Sequence, residues 1–197
     1  MSCPDCFVPS ITHYIGYYED CVSEDVCDKI ITHDWRMQKS TYSNDKGRAK
    51  TSDDRVKMQE VWVKQGAPFY ENIKDSFLKV MSKYSKDHKD FSCIHHTDFR
   101  INKYSEGGFM SRHVDNIHHS HGQHYGYPQV SVLLFLNDDY EGGEFIVAGE
   151  MYSPKKGSAI IFPSNFIYPH EVETVTKGIR GSVVAWLMKK CMNGFLL

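Results

Sequence analysis

The spacing of apolar side chains predicts two helices in the first part of the chain. Ser23 precedes two acidic residues, which is typical of a helix N-terminus, and the predicted helix ends at about His33. From Phe69 to Met81, apolar residues recur at helical spacing and predict a second helix with one buried face. A short strand over 60–63 is predicted before that helix.

From about residue 91 onward, short β-branched and aromatic runs alternate with Gly, Pro and Asn-Asp clusters, which predicts strands. The predicted strands are 97–104, 130–136, 144–147, 158–162 and 179–187. Helices followed by regularly spaced strands predict a mainly β (α+β) protein, a sandwich or barrel with helices packed on one side.

The segment from Arg36 to Met58 is polar and rich in Lys, Ser and Asp, and it shows neither the helical nor the strand spacing of apolar residues. We expect it to lack regular structure, as a functional lid or a mobile surface segment does.

Composition narrows the classes of protein that the chain can belong to. With 197 residues, of which 41% are hydrophobic and 24% charged, it is long enough for one domain with a sizeable core. A formal net charge of -2 gives no electrostatic reason to expect nucleic acid or an anionic membrane as a partner. No apolar run approaches the roughly 20 residues of a membrane span, and the N-terminal residues do not resemble a signal peptide. We therefore expect a cytoplasmic protein.

The six cysteines follow no disulfide framework and are expected to be reduced thiols. Cys3 and Cys6 form a CxxC pair, which would be half of a zinc site with Cys21 and Cys27 as the available partners. A second CxxC is absent, which favours two ordinary thiols over zinc.

The pattern that carries chemistry is His113-x-Asp115, followed later by His170. Two imidazoles and one carboxylate are the ligands of a non-heme Fe(II) facial triad, which leaves half of the octahedron open. Residues i and i+2 of a strand point to the same face, so His113 and Asp115 can share one metal ion. The third ligand must then come from an opposing strand, and His170 is placed to supply it.

A second pair of the same form, His96-x-Asp98, lies earlier in the chain. Only the later pair has a phenol upstream, Tyr104, separated from His113 by a Gly-Gly turn that can bring adjoining strands together. We therefore favour the later pair as the metal site and expect a structural role for the earlier one.

The last predicted strand adds an independent signal. Arg180, Ser182, Val184 and Trp186 alternate along it and share one face. If that face is interior, it buries a guanidinium beside a hydroxyl, and a bound carboxylate is a suitable partner because an unpaired buried Arg is costly. The alternative is an ion pair with a carboxylate of the protein, such as Glu144.

Four histidines, at His118, His119, His121 and His124, crowd one segment that also contains Gly and Pro. A second metal site is one interpretation, and a solvated loop beside the mouth of the site is the one that we favour. Together with 36–58, this loop is our candidate for gripping the substrate.

These residues, in this order, resemble the 2-oxoglutarate- and Fe(II)-dependent oxygenases, specifically the prolyl 4-hydroxylase-like branch. The resemblance runs from Phe99 to Trp186, and its most specific segments are 99–104, 133–137, 142–144 and 156–163. It implies a single domain over 1–197, with a double-stranded β-helix (jelly roll) core over about 91–190. N-terminal helices within about 1–90 would pack on its major sheet.

The resemblance also implies roles for individual residues. The catalytic iron would be bound by His113, Asp115 and His170, and 2-oxoglutarate by Tyr104, Arg180 and Ser182. O2 would be the second co-substrate and ascorbate a candidate reductant.

The implied reaction hydroxylates an unactivated C–H bond and releases succinate and CO2. A peptide or protein substrate is expected, with a proline-containing one favoured; another protein side chain or a free amino acid is the alternative. Collagen-type prolyl hydroxylases usually carry Lys where this chain has Arg180, which leaves the prolyl substrate open. A non-catalytic metal-binding module and a zinc hydrolase are the competing interpretations of the ligand set.

Overall fold

The computed structural model of the chain describes residues 9–43, 49–50, 54–93, 95–115 and 127–189. The helices of this part are a 3-10 helix over Ile11–Tyr14, α1 over Glu24–Thr32 and α2 over Tyr70–Asp87. The strands are β1 Gly16–Tyr18, β2 Gln38–Lys39, β3 Tyr42–Ser43, β4 Ala49–Lys50, β5 Val56–Lys57, β6 Gln59–Val63, β7 His95–His96, β8 Phe99–Tyr104, β9 Phe109–His113, β10 Tyr127–Phe135, β11 Glu141–Gly142, β12 Phe145–Val147, β13 Glu150–Tyr152, β14 Ala159–Pro163, β15 His170–Val172, β16 Val175–Lys177 and β17 Arg180–Lys189.

Both predicted α-helices form and each buries one face; α1 is close to its predicted bounds, whereas α2 extends six residues beyond Met81, to Asp87. α1 buries Cys27 and Ile30, and α2 buries Ile73, Phe77 and Val80, as the apolar stripe predicts. In the part of the chain that the structure describes, neither helix combines the length and the apolar character that a membrane span needs.

Eight strands form a large antiparallel sheet in the order β1-β14-β10-β17-β8-β6-β2, with β7 added beside β17. The side chains of its longest strand alternate between two cores. Val183, Ala185 and Leu187 pack against the helices, whereas Val184 and Trp186 face the other side. This sheet therefore separates a helical layer from the interior of the barrel.

A five-stranded sheet, in the order β13-β12-β15-β9-β5, faces that interior from the opposite side. The core between the two sheets contains Phe145 and Val172 from the smaller sheet, and Phe135 and Phe162 from the larger one. Two facing antiparallel sheets with helices outside one of them agree with the predicted sandwich or barrel and with the jelly roll that the resemblance implies.

The N-terminal part of the chain contributes strands to both sheets. β1 pairs with β14, β6 pairs with β8, and β5 pairs with β9. The prediction that 36–58 lacks regular structure is therefore wrong, because β2 and β5 are paired strands. Two-residue strands are too short to show an alternating pattern, and only their partners define them. Residues 44–48 and 51–53 of that segment lie outside the described residues, as do Cys3, Cys6 and the histidines of 118–124.

Candidate metal centre

The three predicted metal ligands converge at one end of the barrel interior. His113 is the last residue of β9 and His170 the first of β15, and the register of these antiparallel strands pairs the two directly. Asp115 follows two residues after His113, just beyond the end of β9. The ligand atoms of these three side chains all lie within 4.8 Å of one another.

Backbone carbonyls fix the orientation of both imidazoles. Nδ1 of His113 lies 2.8 Å from the carbonyl oxygen of Ser111, and Nδ1 of His170 lies 3.2 Å from that of Tyr168. Because a carbonyl oxygen can only accept, each Nδ1 carries the proton. Each Nε2 lone pair is then left for a metal ion.

The electrostatics of this cluster favour a cation. Burial, together with the neighbouring imidazole of His170, lowers the pKa of His113 to about 4, although Asp115 acts in the opposite direction. Burial would raise the pKa of the Asp115 carboxyl, but the two imidazoles and a hydroxyl donor hold it well below its usual range. Burial likewise lowers the pKa of His170, but Asp115 outweighs it and the net shift is upward. A charged carboxylate and the neutral imidazole of His113 thus face one point.

Two buried serines extend the cluster into the large sheet. The Oγ of Ser131 donates a hydrogen bond of 2.6 Å to Oδ2 of Asp115 and lies 2.8 Å from the Oγ of Ser164. Both serines are fully buried. The sequence pattern did not identify them, although a polar residue inside the apolar run 130–136 was a usable signal.

The earlier His-x-Asp pair does not take part in this cluster. His96 and Asp98 are both exposed, and the ring of His96 stacks on that of Phe99 with 5.1 Å between centroids. Within the described ranges, the metal-ligand group consists of the later pair and His170.

Arg180 lies deep in the same interior, with no exposed surface. Its guanidinium carbon is 5.2 Å from the centre of the Tyr104 ring and 5.4 Å from that of Phe135. Nη1 reaches the Oγ of Ser182 at 3.5 Å, while Nε and Nη2 have no hydrogen-bond partner in the described part of the chain. The alternative of an ion pair with Glu144 is therefore not what the structure contains. Two buried donors that lack acceptors fit a carboxylate ligand.

Gly143 and Tyr140 complete the surroundings of Arg180. Gly143 has φ +67, and a Cβ atom there would lie 3.0 Å from Cδ of Arg180, so both the backbone conformation and the close contact favour glycine. Burial raises the pKa of Tyr140 although Arg180 lowers it in part. Tyr140 was not identified from the sequence, and Gly143 only as part of the segment 142–144.

Tyr104 lies opposite Arg180 in the pairing of β8 with β17 and is 1% exposed. Burial raises the pKa of its phenol, against smaller effects of Arg180 and Arg100. The phenol therefore stays protonated at neutral pH and can donate to an anionic ligand.

Two imidazole nitrogens and one carboxylate fit Fe(II), and the donor set leaves coordination positions for other ligands. In the same interior, the guanidinium of Arg180 and the phenol of Tyr104 can hold the far end of a small dicarboxylate. This combination can bind a metal ion together with a chelating co-substrate.

Comparisons with known proteins agree with this chemistry. The model of the 2OG-Fe(II) oxygenase superfamily matches residues 99–188. A PKHD-type hydroxylase of Rippkaea orientalis is 41% identical over 93 residues, which are 44% of this chain and 40% of that protein. Human prolyl 3-hydroxylase 2 is 44% identical over 70 residues, 32% of this chain and 10% of the human protein. The chain thus matches less than half the length of these curated relatives.

Solved structures confirm the jelly-roll fold. A prolyl-4-hydroxylase of Pseudomonas putida superposes with a TM-score of 0.66 at 19% identity, covering 91% of this chain and 95% of that one. A prolyl hydroxylase of Trichoplax adhaerens, in complex with a peptide fragment of hypoxia inducible factor, gives 0.72 at 15% identity, covering 90% and 84%.

Proposed function

We propose that this chain is a 2-oxoglutarate- and Fe(II)-dependent dioxygenase that hydroxylates an unactivated C–H bond, with support from the 2OG-Fe(II) oxygenase superfamily model that matches residues 99–188. The observation that carries the proposal is that a His-Asp-His cluster and a buried guanidinium with two unpartnered nitrogens share one interior. The first suits Fe(II) and the second suits the distal carboxylate of 2-oxoglutarate.

In this proposal, His113, Asp115 and His170 hold the metal ion. Fe(II) with 2-oxoglutarate and O2 would supply the oxidising chemistry, with succinate and CO2 as by-products and ascorbate as a candidate reductant. Arg180, Ser182 and Tyr104 would bind and orient 2-oxoglutarate, and all three are buried. The apolar walls around them exclude bulk water, which strengthens these polar contacts.

A peptide or protein is the substrate class that we propose, with a prolyl residue favoured. Support comes from a relative named prolyl 3-hydroxylase 2 and from a similar fold solved with a bound peptide fragment. Another protein side chain or a free amino acid is the alternative. We further propose that residues 1–197 form one domain, with support from N-terminal strands that pair directly with strands after residue 91.

The test is iron-dependent succinate formation from 2-oxoglutarate under air, with ascorbate present. We expect succinate from the wild type, loss of succinate in His113→Ala, and a raised KM for 2-oxoglutarate in Arg180→Ala. His96→Ala is the matched control, because His96 is an exposed histidine of the unused pair and is expected to keep full activity.

Full succinate production by His113→Ala would overturn the proposal. A zinc hydrolase or a non-catalytic module would give no metal-dependent succinate at all. Screening proline-rich peptides by mass spectrometry for the addition of one oxygen atom then tests the substrate class.

A further inference from the structure

β8 carries two buried polar residues, beside Tyr104, that the proposed chemistry leaves unassigned. Arg100 and Asn102 alternate with Phe99 and Ile101, which belong to the core on the helix side, and therefore face the barrel interior, as Tyr104 does. Arg100 is 5% exposed and Asn102 is 3% exposed. Buried polar side chains of this kind normally have all of their hydrogen bonds satisfied.

Arg100 is held in a fixed position between two indoles. Its guanidinium carbon lies 4.9 Å from the ring centre of Trp186 and 5.8 Å from that of Trp62. Nη1 lies 3.5 Å from a carboxylate oxygen of Glu60. Nε has no hydrogen-bond partner among the described residues. A buried N–H donor is therefore left pointing at no acceptor.

Glu60 decides what kind of acceptor suits this donor. The carboxylate is 2% exposed and also accepts a hydrogen bond of 2.6 Å from the Oγ of Ser40. It offsets the positive charge of Arg100, so a second buried carboxylate would leave an excess of negative charge in the interior. A neutral oxygen acceptor, such as an amide carbonyl, avoids that cost.

Asn102 supplies the complementary group. Its Oδ1 is buried and has no hydrogen-bond donor in the described part of the chain. The two residues are i and i+2 on one strand, roughly 6.6 Å apart, which is also the repeat of backbone groups on one side of an extended peptide. An unpartnered donor and an unpartnered acceptor at this spacing fit the C=O and N–H groups of a peptide.

Two intervening residues connect Arg100 to the metal ligands. Trp186, which packs on Arg100, is paired in register with Ser131, and Ser131 donates to Asp115. A group bound by Arg100 would therefore face the same interior as the His-Asp-His cluster.

We propose that Arg100 and Asn102, flanked by Trp62 and Trp186, form a subsite that binds a neutral backbone amide of the primary substrate. The residue that is oxidised is then part of a peptide chain, because a free amino acid offers a charged carboxylate and ammonium at these positions. This inference rests on the proposed function and deepens it.

The first experiment asks which substrates are oxidised. The iron-loaded protein with 2-oxoglutarate is given a mixed library of pentapeptides, acetylated and amidated at their ends, and separately the free amino acids, with products read by mass spectrometry. Oxygenated peptides are expected. Oxygenation confined to free amino acids, or of no compound while iron-dependent succinate forms, would overturn the subsite. Absence of succinate would instead overturn the proposed function.

The second experiment uses conservative variants. Arg100→Lys keeps a cation for Glu60 but removes the Nε donor, and we expect the KM for the oxidised peptide to rise about tenfold, the loss of one hydrogen bond of about 1.4 kcal/mol. The KM for 2-oxoglutarate should rise far less. Lys103→Gln, on the outward face of the same strand, is the matched control and should leave the peptide KM as it is. An equal rise in the KM for the peptide and the KM for 2-oxoglutarate would mean that Arg100 has only a structural role, and the subsite would be overturned.

A third measurement needs neither metal nor substrate. Asn102→Ala removes a buried oxygen that has no partner among the described residues, so the urea midpoint should stay the same or rise. A structural asparagine would lower the midpoint instead, and that result would remove Asn102 from the subsite.

Discussion

Ser131→Ala tests whether the hydroxyl behind Asp115 prepares the metal site. The hydrogen bond from Ser131 to the carboxylate is 2.6 Å long, within the range of charge-assisted O–H···O⁻ bonds. A hydrogen bond to a charged group contributes about 1.5–3 kcal/mol. Loss of a partner that orients a metal ligand weakens metal binding by roughly 10- to 100-fold, or about 1.4–2.8 kcal/mol. The two ranges agree, so we expect the Kd for Fe(II) to rise by that factor.

The assay is anaerobic titration of the metal-free protein with Fe(II), followed by calorimetry. Ser158→Ala is the matched control, because Ser158 is equally buried and its Oγ donates a bond of 2.6 Å to the carbonyl oxygen of Lys155, which is remote from the ligands. Both variants should lose stability, but only Ser131→Ala should lose affinity. An Fe(II) Kd for Ser131→Ala within twofold of the wild type would refute the reasoning, as would an equal loss in both variants.

Two further predictions concern stability. Gly157 has φ +77, and a Cβ atom there would lie 2.5 Å from the carbonyl oxygen of Val22, whereas Gly149 has φ +86 and open space around it. In urea unfolding, Gly149→Ala should lower the unfolding free energy by about 1–2 kcal/mol, because alanine is strained in the left-handed conformation. Gly157→Ala should lower the unfolding free energy by clearly more. Equal decreases in the two variants would contradict this account. His113 has its pKa lowered to about 4 in the folded protein, below the usual 6.5, so the unfolded chain binds a proton that the folded one does not. His113 should therefore lower the unfolding free energy of the metal-free protein as pH falls from 6.5 to 4. His113→Gln should lack this part of the pH dependence. Parallel curves of unfolding free energy against pH for the two proteins would contradict the assignment.

The sequence could predict the elements whose pattern is long enough to read. The apolar stripe of α2 indicated its buried face correctly, and the alternation along β17 indicated correctly which residues share a face, because each pattern extends over several periods. The convergence of His113 with His170 could also be predicted, since a shared metal ion requires opposing strands. These are the parts of the molecule in which local pattern and tertiary structure agree.

Features that depend on pairing between distant strands could not be predicted in the same way. Within 36–58, β2 is defined by its pairing with β6 and β5 by its pairing with β9. The role of Ser131 depends on Asp115 reaching across the interior, and that of Arg100 on Glu60 and Trp186 lying next to it. Sequence alternation places Arg100 and Tyr104 on one face, but it does not tell which groups that face meets.

The metal ligands come together only when β9 pairs with β15. His113 and His170 come from strands far apart in the chain, and they meet only when the smaller sheet has closed in its final register. A metal ion that fills this site then acts as a cross-link between the two strands. At 100 times its Kd, such an ion would stabilise the folded state by about 2.7 kcal/mol. Loss of the metal ion would therefore lower the stability of this sheet and make the protein more susceptible to proteolysis.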